Sequence, residues 1–365
     1  MPESYLIVKL AAAGDVLLAT AMARQLRRAR PGSHIAWLVT PYAAPLLAAN
    51  PDLDEVLPVP APADGGWARL RTAAAWRGAL APWRRRHPDA VALLAHRSPG
   101  LALLLRAVGL RAIAGWDNGV NWGLAAVAPF TPGAHRLALH AGLARAALVL
   151  AAGPAPTFPL GTPRLELRRE ELAAGEAAWH GAPRPRWVIA PGGAANPWSA
   201  MPNRLWPRER FLELGRRARA SGIALRWLGG PGDAPLTAWL AARSRTPAAD
   251  LAGRLALRQS AALIAAADLL IGNDSLPLAM AQALARPALG LFGPTAGAQI
   301  HLPGQPYLQG LAGCGPCYDP RAGLGGAAYV CPRARCMERI TIESAWRRAL
   351  AASAAPSRTA AARAG

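Results

Sequence analysis

The chain has 365 residues, 52% hydrophobic and 17% charged, which excludes a disordered polymer and suggests two domains of roughly 150–200 residues each. Its formal charge of +20 comes from 41 Lys+Arg against 21 Asp+Glu, and only Lys9 among the 41 is lysine, leaving 40 arginines. Such a charge either attracts phosphate-rich partners or is a solvated arginine surface. Nucleic acid is not expected, because there is no zinc-finger spacing, RNA-binding aromatic signature or dense basic block.

In chain order, Tyr5 to Leu10 reads as a short buried strand and Ala11 to Asp15 as a tight turn. Glu3 and Lys9 stand where a signal peptide needs a basic head and an unbroken apolar run, so no leader is expected. Val16 to Arg30 carries helical spacing and stops at Pro31-Gly32, and His34 to Val39 is the next strand. Val56 to Val59 and Ala90 to Ala95 are strand-like; Trp67 to Trp83 and Gly100 to Val108 are helix-like. This β-turn-α-β succession predicts a parallel, doubly wound sheet over residues 1–150. Apolar runs such as Leu101 to Leu105 and Ala146 to Ala152 are too short for a membrane span, which needs ~18 residues. A cytoplasmic protein is therefore expected, with peripheral contact at the inner face of the cytoplasmic membrane as an option.

A Pro/Gly-rich stretch opens a linker and connecting helix over 151–183. The α/β scheme restarts over 184–340, with strands at Arg186 to Ala190, Ala224 to Leu228, Asp268 to Gly272 and Ala288 to Gly293. Helices are expected at Pro207 to Ala220, Arg258 to Ala267 and Ser275 to Ala285. A last helix over 341–355 is followed by a disordered tail, 356–365. The strands of the second half end in loops of glycine, proline and a short polar residue: Pro191-Gly192-Gly193, Gly229 to Asp233, Asn273-Asp274-Ser275 and Phe292 to Thr295. Such loops bring backbone N–H groups close to an anion, and a nucleotide diphosphate is the natural guest. Neither the dinucleotide fingerprint nor the Walker lysine loop is present.

These runs, with Leu6 to Leu10, Gly14-Asp15-Val16, Pro31 to Val39, Asn50 to Val56, Arg204 to Pro207 and Leu251-Ala252-Gly253, follow one another in a family's order. From about Tyr5 to Trp346 the sequence resembles glycosyltransferase family 9, the ADP-heptose:lipopolysaccharide heptosyltransferases. The resemblance implies a GT-B fold, two Rossmann-like doubly wound domains facing across a cleft, with the donor held mainly by the second and the last helix, 341–355, crossing back to the first. It implies inverting transfer of a heptose from an ADP-sugar to a lipopolysaccharide inner-core or similar anionic glycolipid acceptor, without a catalytic metal. By position, Asp15 matches the general base; its other reading is a helix N-cap. Arg204 stands where the family has a lysine at the diphosphate, Asp233 where an acid meets the ribose, and Asp274 and Ser275 at the donor phosphates and sugar. Gly192 and Gly193 complete the donor loop. Arg204 reads equally as a surface arginine and Asp233 as a turn residue. The family glycine and histidine that follow are Leu276 and Ala279 here. That departure leaves open another nucleotide-sugar donor, or a non-catalytic protein that binds or assembles through the same fold.

The cysteines run Cys314-x2-Cys317, thirteen residues, then Cys331-x4-Cys336, the spacing of a four-thiolate knuckle. A structural zinc or iron is expected, with free thiols or a disulfide as the alternatives; the resemblance adds an iron-binding form known in autotransporter heptosyltransferases. Four protein ligands would leave no open position for catalysis. His96 reads as a solvated loop residue or an acceptor contact, and Trp116 to Trp122 as packing or a sugar platform.

Overall fold

The computed structural model describes residues 3–62, 66–153, 160–193, 195–196, 199–318, 331 and 334–354. The chain divides into two compact units, Met1–Glu166 and Leu167–Gly365. In the first, β1 (Ser4–Val8), α1 (Ala13–Ala29), β2 (His34–Val39), β3 (Glu55–Pro58), α2 (Gly66–Arg86), β4 (Val91–Leu94), α3 (Pro99–Ala107), β5 (Ala112–Trp116), β6 (Ala126–Ala128) and α4 (Arg136–Ala152) succeed one another. The six strands are parallel in the order β3-β2-β1-β4-β5-β6. β1 and β4 are continuous apolar runs because helices cover both faces of a parallel sheet. Leu6, Val8, Ala36, Leu38, Ala92 and Leu94 form one core layer with Trp76, Leu80 and Trp83 of α2. The helix after the first turn begins at Ala13, three residues before the expected Val16.

The second unit runs α5 (Arg169–Ala177), β7 (Arg186–Ala190), β8 (Ala195–Asn196), β9 (Ser199–Ala200), α6 (Arg208–Ala220), β10 (Ala224–Trp227), α7 (Ala234–Arg243), α8 (Leu257–Ala265), β11 (Leu269–Asn273), α9 (Leu276–Ala283), β12 (Ala288–Phe292), α10 (Gly297–Ile300), β13 (Tyr307–Gln309), α11 (Arg335–Glu338) and α12 (Ile342–Ala354). Its parallel sheet has the order β10-β7-β11-β12-β13, and β8 pairs with β9 apart from it. Trp187, Trp206, Phe211 and Trp227 fill the core. α12, expected to run back to the first unit, buries Ala345, Ala349 and Ala352 in this core, and Trp346 meets Trp187 edge-on at 5.6 Å. The expected disordered tail, 356–365, and part of the expected linker, 154–159, lie outside the described residues. Among the described residues no helix is long and apolar enough to cross a membrane.

α5 and α8 pack at backbone distance. A Cβ added at Gly175 would lie 2.2 Å from the Ala262 carbonyl oxygen, so only glycine permits the approach. Overpacking of this kind costs about 1–3 kcal/mol. Gly175→Ala is therefore expected to lower the unfolding free energy of the second unit, read from urea denaturation, by that amount; an unchanged stability would contradict the helix contact.

Candidate active site

Ligands of open parallel sheets bind beyond the carboxyl ends of the strands, where the strand order reverses. In the first unit that point lies between β1 and β4. Residues 9 and 10 leave β1 there, and His96 follows β4. His96 Nε2 accepts the Leu10 N–H at 3.0 Å and ties the two strand ends together. The Thr40 hydroxyl donates to the Leu10 carbonyl at 2.9 Å, and the Trp37 indole N–H donates to the Lys9 carbonyl at 3.1 Å. With its backbone fixed, Lys9 places Nζ 3.3 Å from Asp15 Oδ2. The lysine side chain is 10% exposed, while the aspartate remains 47% exposed.

Asp15 does not cap α1. The N-cap position is Ala12, which makes Asp15 the third helical residue, where the helix dipole favours a carboxylate. Burial acts to raise the Asp15 carboxyl, but the charges of Lys9 and Arg136 and the Lys9 hydrogen bond outweigh it and hold it down to about 2. Two histidines stand by as neutral groups. Burial, then the charge of Lys9, keeps His96 well below its ordinary value and holds His140 to about 3. His140 stacks on Trp116 at 5.6 Å, and its buried Nδ1 has no partner among the described residues. His96 is thus a packed partner of the β1 loop rather than a solvated residue. Trp116 is buried, whereas Trp122 is 63% exposed. Asp117 and Asn118 use their side chains to build the turn between them, accepting from the N–H groups of Gly119 and of Val120 and Asn121. His135 caps α4 by accepting the Leu137 N–H at 3.1 Å.

In the second unit the order reverses between β7 and β11. Every donor-side residue predicted from sequence converges there. The Gly192-Gly193 turn follows β7 and lies against Asp233 and Ser275: an added Cβ would stand 2.1 Å from Asp233 Cγ at Gly192 and 2.3 Å from Ser275 Cβ at Gly193. Gly193 has φ +94°, a conformation glycine alone adopts freely. Asp233 accepts the Gly193 N–H at 3.2 Å and the Gly230 N–H at 2.9 Å, so its carboxylate clamps two loops. Arg204, 16% exposed at the side chain, donates to the Asp274 carbonyl at 3.0 Å, which excludes the reading of a free surface arginine. Its buried Nε has no partner among the described residues. Ser275 stands at the N-cap of α9, with Asp274 before it. Leu276 and Pro277 open the helix, and Ala279 is buried within it.

Asn273, which the sequence marks only as part of a strand-end loop with no role of its own, holds the cluster together. It is fully buried. Its Nδ2 donates to the carbonyls of Pro191 (2.8 Å) and Gly192 (3.2 Å), and its Oδ1 accepts the Trp206 N–H at 3.0 Å. An amide at the end of a wholly apolar strand is the signal that could have marked it.

Cys314, Cys317 and Cys331 are exposed and Cys336 is buried. They line one cavity of about 150 Å³, with Asn203, Pro294, Gly315 and Arg335. Burial, then the neighbouring Cys314 and Cys331, pushes the Cys317 thiol up. Among the described residues no three metal-ligating side chains already stand in chelating position. Four sulfur donors and an unpartnered amide around a common space are nonetheless a donor set that fits a tetrahedral thiolate-loving ion. The expected glycine run 323–326 lies outside the described residues.

Two doubly wound units, the second carrying an anion-ready turn cluster at its switch point, define a GT-B glycosyltransferase. The model of Glycosyltransferase family 9 (heptosyltransferase) matches residues 91–312, more than half of the chain, and the protein belongs to that family. Comparison with curated protein sequences returns no match. Among solved structures it is similar to E. coli ADP-heptose LPS heptosyltransferase II, with TM-score 0.73 and 21% identity over 96% of this chain and 98% of that one. It is also similar to E. coli heptosyltransferase WaaC with ADP-2-deoxy-2-fluoro heptose, with TM-score 0.65 and 16% identity over 94% and 98% of the two chains. A third is the iron-containing dodecameric glycosyltransferase TibC of enterotoxigenic E. coli H10407, with TM-score 0.56 and 14% identity over 96% of this chain and 76% of that one.

Two outcomes check this geometry. Replacing Asn273 by leucine leaves two carbonyls and one N–H buried without partners, and is expected to cost about 2–3 kcal/mol in urea denaturation, against near-neutrality if the ties are incidental. Lys9→Met removes the main charge that holds the Asp15 carboxyl down while burial still pushes it up. Carbon-13 NMR titration should then show Asp15 protonating at higher pH than the wild-type value of about 2; an unmoved titration would sever the pair. The depressed carboxylate stabilises the wild type above the unfolded value near 4, and that contribution fades as pH falls toward about 2.

Proposed function

We propose that the protein transfers a heptose, or a closely related sugar, from an ADP-sugar to an anionic glycolipid core of the lipopolysaccharide type, with inversion at the anomeric carbon. The observation that carries this reading is the convergence of Gly192, Gly193, Arg204, Asp233, Asp274 and Ser275 on the switch point of the second unit. The N-terminus of α9 offers backbone N–H groups to a diphosphate, the glycine turn gives it room, and Arg204 adds a fixed positive charge. Asp233 can give its loop contacts a second use by accepting from ribose hydroxyls, since each carboxylate oxygen has a further lone pair. Similar structures whose descriptions include ADP-heptose or an ADP-heptose analogue support the choice of nucleotide.

In the reaction, the acceptor hydroxyl oxygen bonds to the anomeric carbon as the bond from that carbon to the diphosphate oxygen breaks. The proton of the hydroxyl passes to Asp15, and ADP leaves with its charge met by Arg204 and the N–H groups that open α9. Asp15 is ionised at neutral pH, as a base must be, and Lys9 holds it in place. A carboxylate this weakly basic serves an oxocarbenium-like transition state, in which the attacking hydroxyl becomes acidic only as its bond forms. The +20 charge supports an anionic acceptor and salt-sensitive association with an anionic membrane surface. Cys314, Cys317, Cys331 and Cys336 would hold a structural zinc or iron, which on binding supplies cross-linking of the segment rather than chemistry.

Asp15→Asn keeps the size of the side chain and removes the proton acceptor. Transfer is expected to fall by about 10²–10⁴-fold while the affinity for ADP, measured by calorimetry, stays at the wild-type value. Undiminished transfer would remove Asp15 from the reaction, and joint loss of ADP binding would make its role structural.

A further inference from the structure

Asn203 is 3% exposed, and neither its Nδ2 nor its Oδ1 has a hydrogen-bond partner among the described residues. Native interiors rarely leave an amide in that condition, and such a group calls for an absent water, ion or ligand. Asn203 lines the same cavity as the four cysteines, and sulfur supplies the other side-chain acceptors of that lining. A neutral thiol accepts weakly, whereas the thiolate of a metal site carries charge and is held by hydrogen bonds from its surroundings.

We propose that Asn203 donates its amide N–H to a metal-bound thiolate of the Cys314, Cys317, Cys331 and Cys336 set, and that it couples this metal site to the donor site through Arg204. The proposal rests on the reading of the cysteines as a metal site. Residues Pro202–Arg204 form a single 3-10 turn, closed by the Arg204 N–H on the Met201 carbonyl (3.2 Å) and the Leu205 N–H on the Pro202 carbonyl (3.1 Å). One residue of that turn lines the cysteine cavity, and the next holds the Asp274 carbonyl. A short closed turn cannot move one without the other. The opposite wall of the cavity is built on the loop that leaves β12, the strand paired with β11. There the Cys317 N–H donates to the Pro294 carbonyl at 2.9 Å, and a Cβ on Gly293 would stand 2.8 Å from Cys336 Sγ. The cavity thus lies between the turn that carries Arg204 and the loop that leaves β12. Occupancy by an ion that fixes the sulfurs would fix Asn203, and with it the guanidinium of Arg204. Linkage then requires the effect to be mutual: metal tightens ADP, and ADP tightens metal by the same factor.

The test uses the full chain, stripped of metal and titrated with Co²⁺, whose thiolate charge-transfer absorption reports ligation directly. Calorimetry measures ADP affinity with and without the metal. The wild type should take up one Co²⁺ with a thiolate spectrum and bind ADP more tightly when loaded. Asn203→Leu, of similar size but with no donor, should bind Co²⁺ about 10–100-fold more weakly, with a shifted charge-transfer band, and should lose the metal-dependent gain in ADP affinity. Asn203→Ala gives the same readouts without any added bulk, should leucine disturb folding. Wild-type Co²⁺ affinity and spectrum in these variants, or ADP affinity in the wild type that ignores metal, would overturn the proposal while leaving the metal site standing. Failure of the wild type itself to bind Co²⁺ would instead overturn the metal reading, and the coupling with it.

Discussion

The side chain of Asn273 is the tie on which the second unit's site depends. A parallel sheet separates its strands cleanly only where the order reverses, and there the two neighbouring loops diverge and leave polar backbone groups without strand partners. Asn273 answers this with one amide, taking the two carbonyls of the Gly192 turn and the N–H of Trp206. The turn after β7, the end of β11 and the segment bearing Arg204 are thereby locked to each other before any ligand arrives. Binding energy then need not order loops, which is the condition for tight diphosphate recognition.

The first unit solves the same problem with a different residue. His96, neutral because it is buried, bridges the ends of β1 and β4 as Asn273 bridges β7 and β11. Its neutrality matters, because a second cation beside Lys9 would repel it. Lys9 in turn is tolerable in a buried position only with Asp15 beside it, since an unpaired buried charge is far more costly than a pair. The outcome is a carboxylate that is ionised, oriented and still half-exposed, beside two histidines that carry no charge. In that pair, the interaction that makes a buried lysine admissible is the one that keeps the aspartate ionised.

Much of this was legible in the residues, and the exceptions have physical causes. β1, β2, β4, β7, β11 and β12 announce themselves as short apolar runs closed by glycine or proline. β5, written Ala-Ile-Ala-Gly-Trp, and the three-residue β6 and β13 do not, because alanine and glycine carry no strand signal and tertiary pairing alone makes them strands. The glycine loops were readable because close approach of a backbone demands glycine, and the structure brings all six singled-out residues to one switch point. The Lys9–Asp15 pair was not, since the turn between them sets their distance. His96, His140 and Asn273 were missed as partners because only strand order brings them to their sites. The four cysteines line one cavity, but their spacing says nothing of Asn203, which lines it too from far away in the chain.

The most direct test of the account is thermal unfolding of the purified chain with ADP, UDP, GDP and CMP at one fixed salt concentration. A ligand that binds only the folded state at 100 times its Kd adds about 2.7 kcal/mol of stability, which is readily seen as a higher Tm. The account predicts a rise with ADP and none of comparable size with the other three. A rise with UDP or GDP in place of ADP would contradict the ADP-sugar donor, and no rise with any nucleotide would contradict the donor site itself.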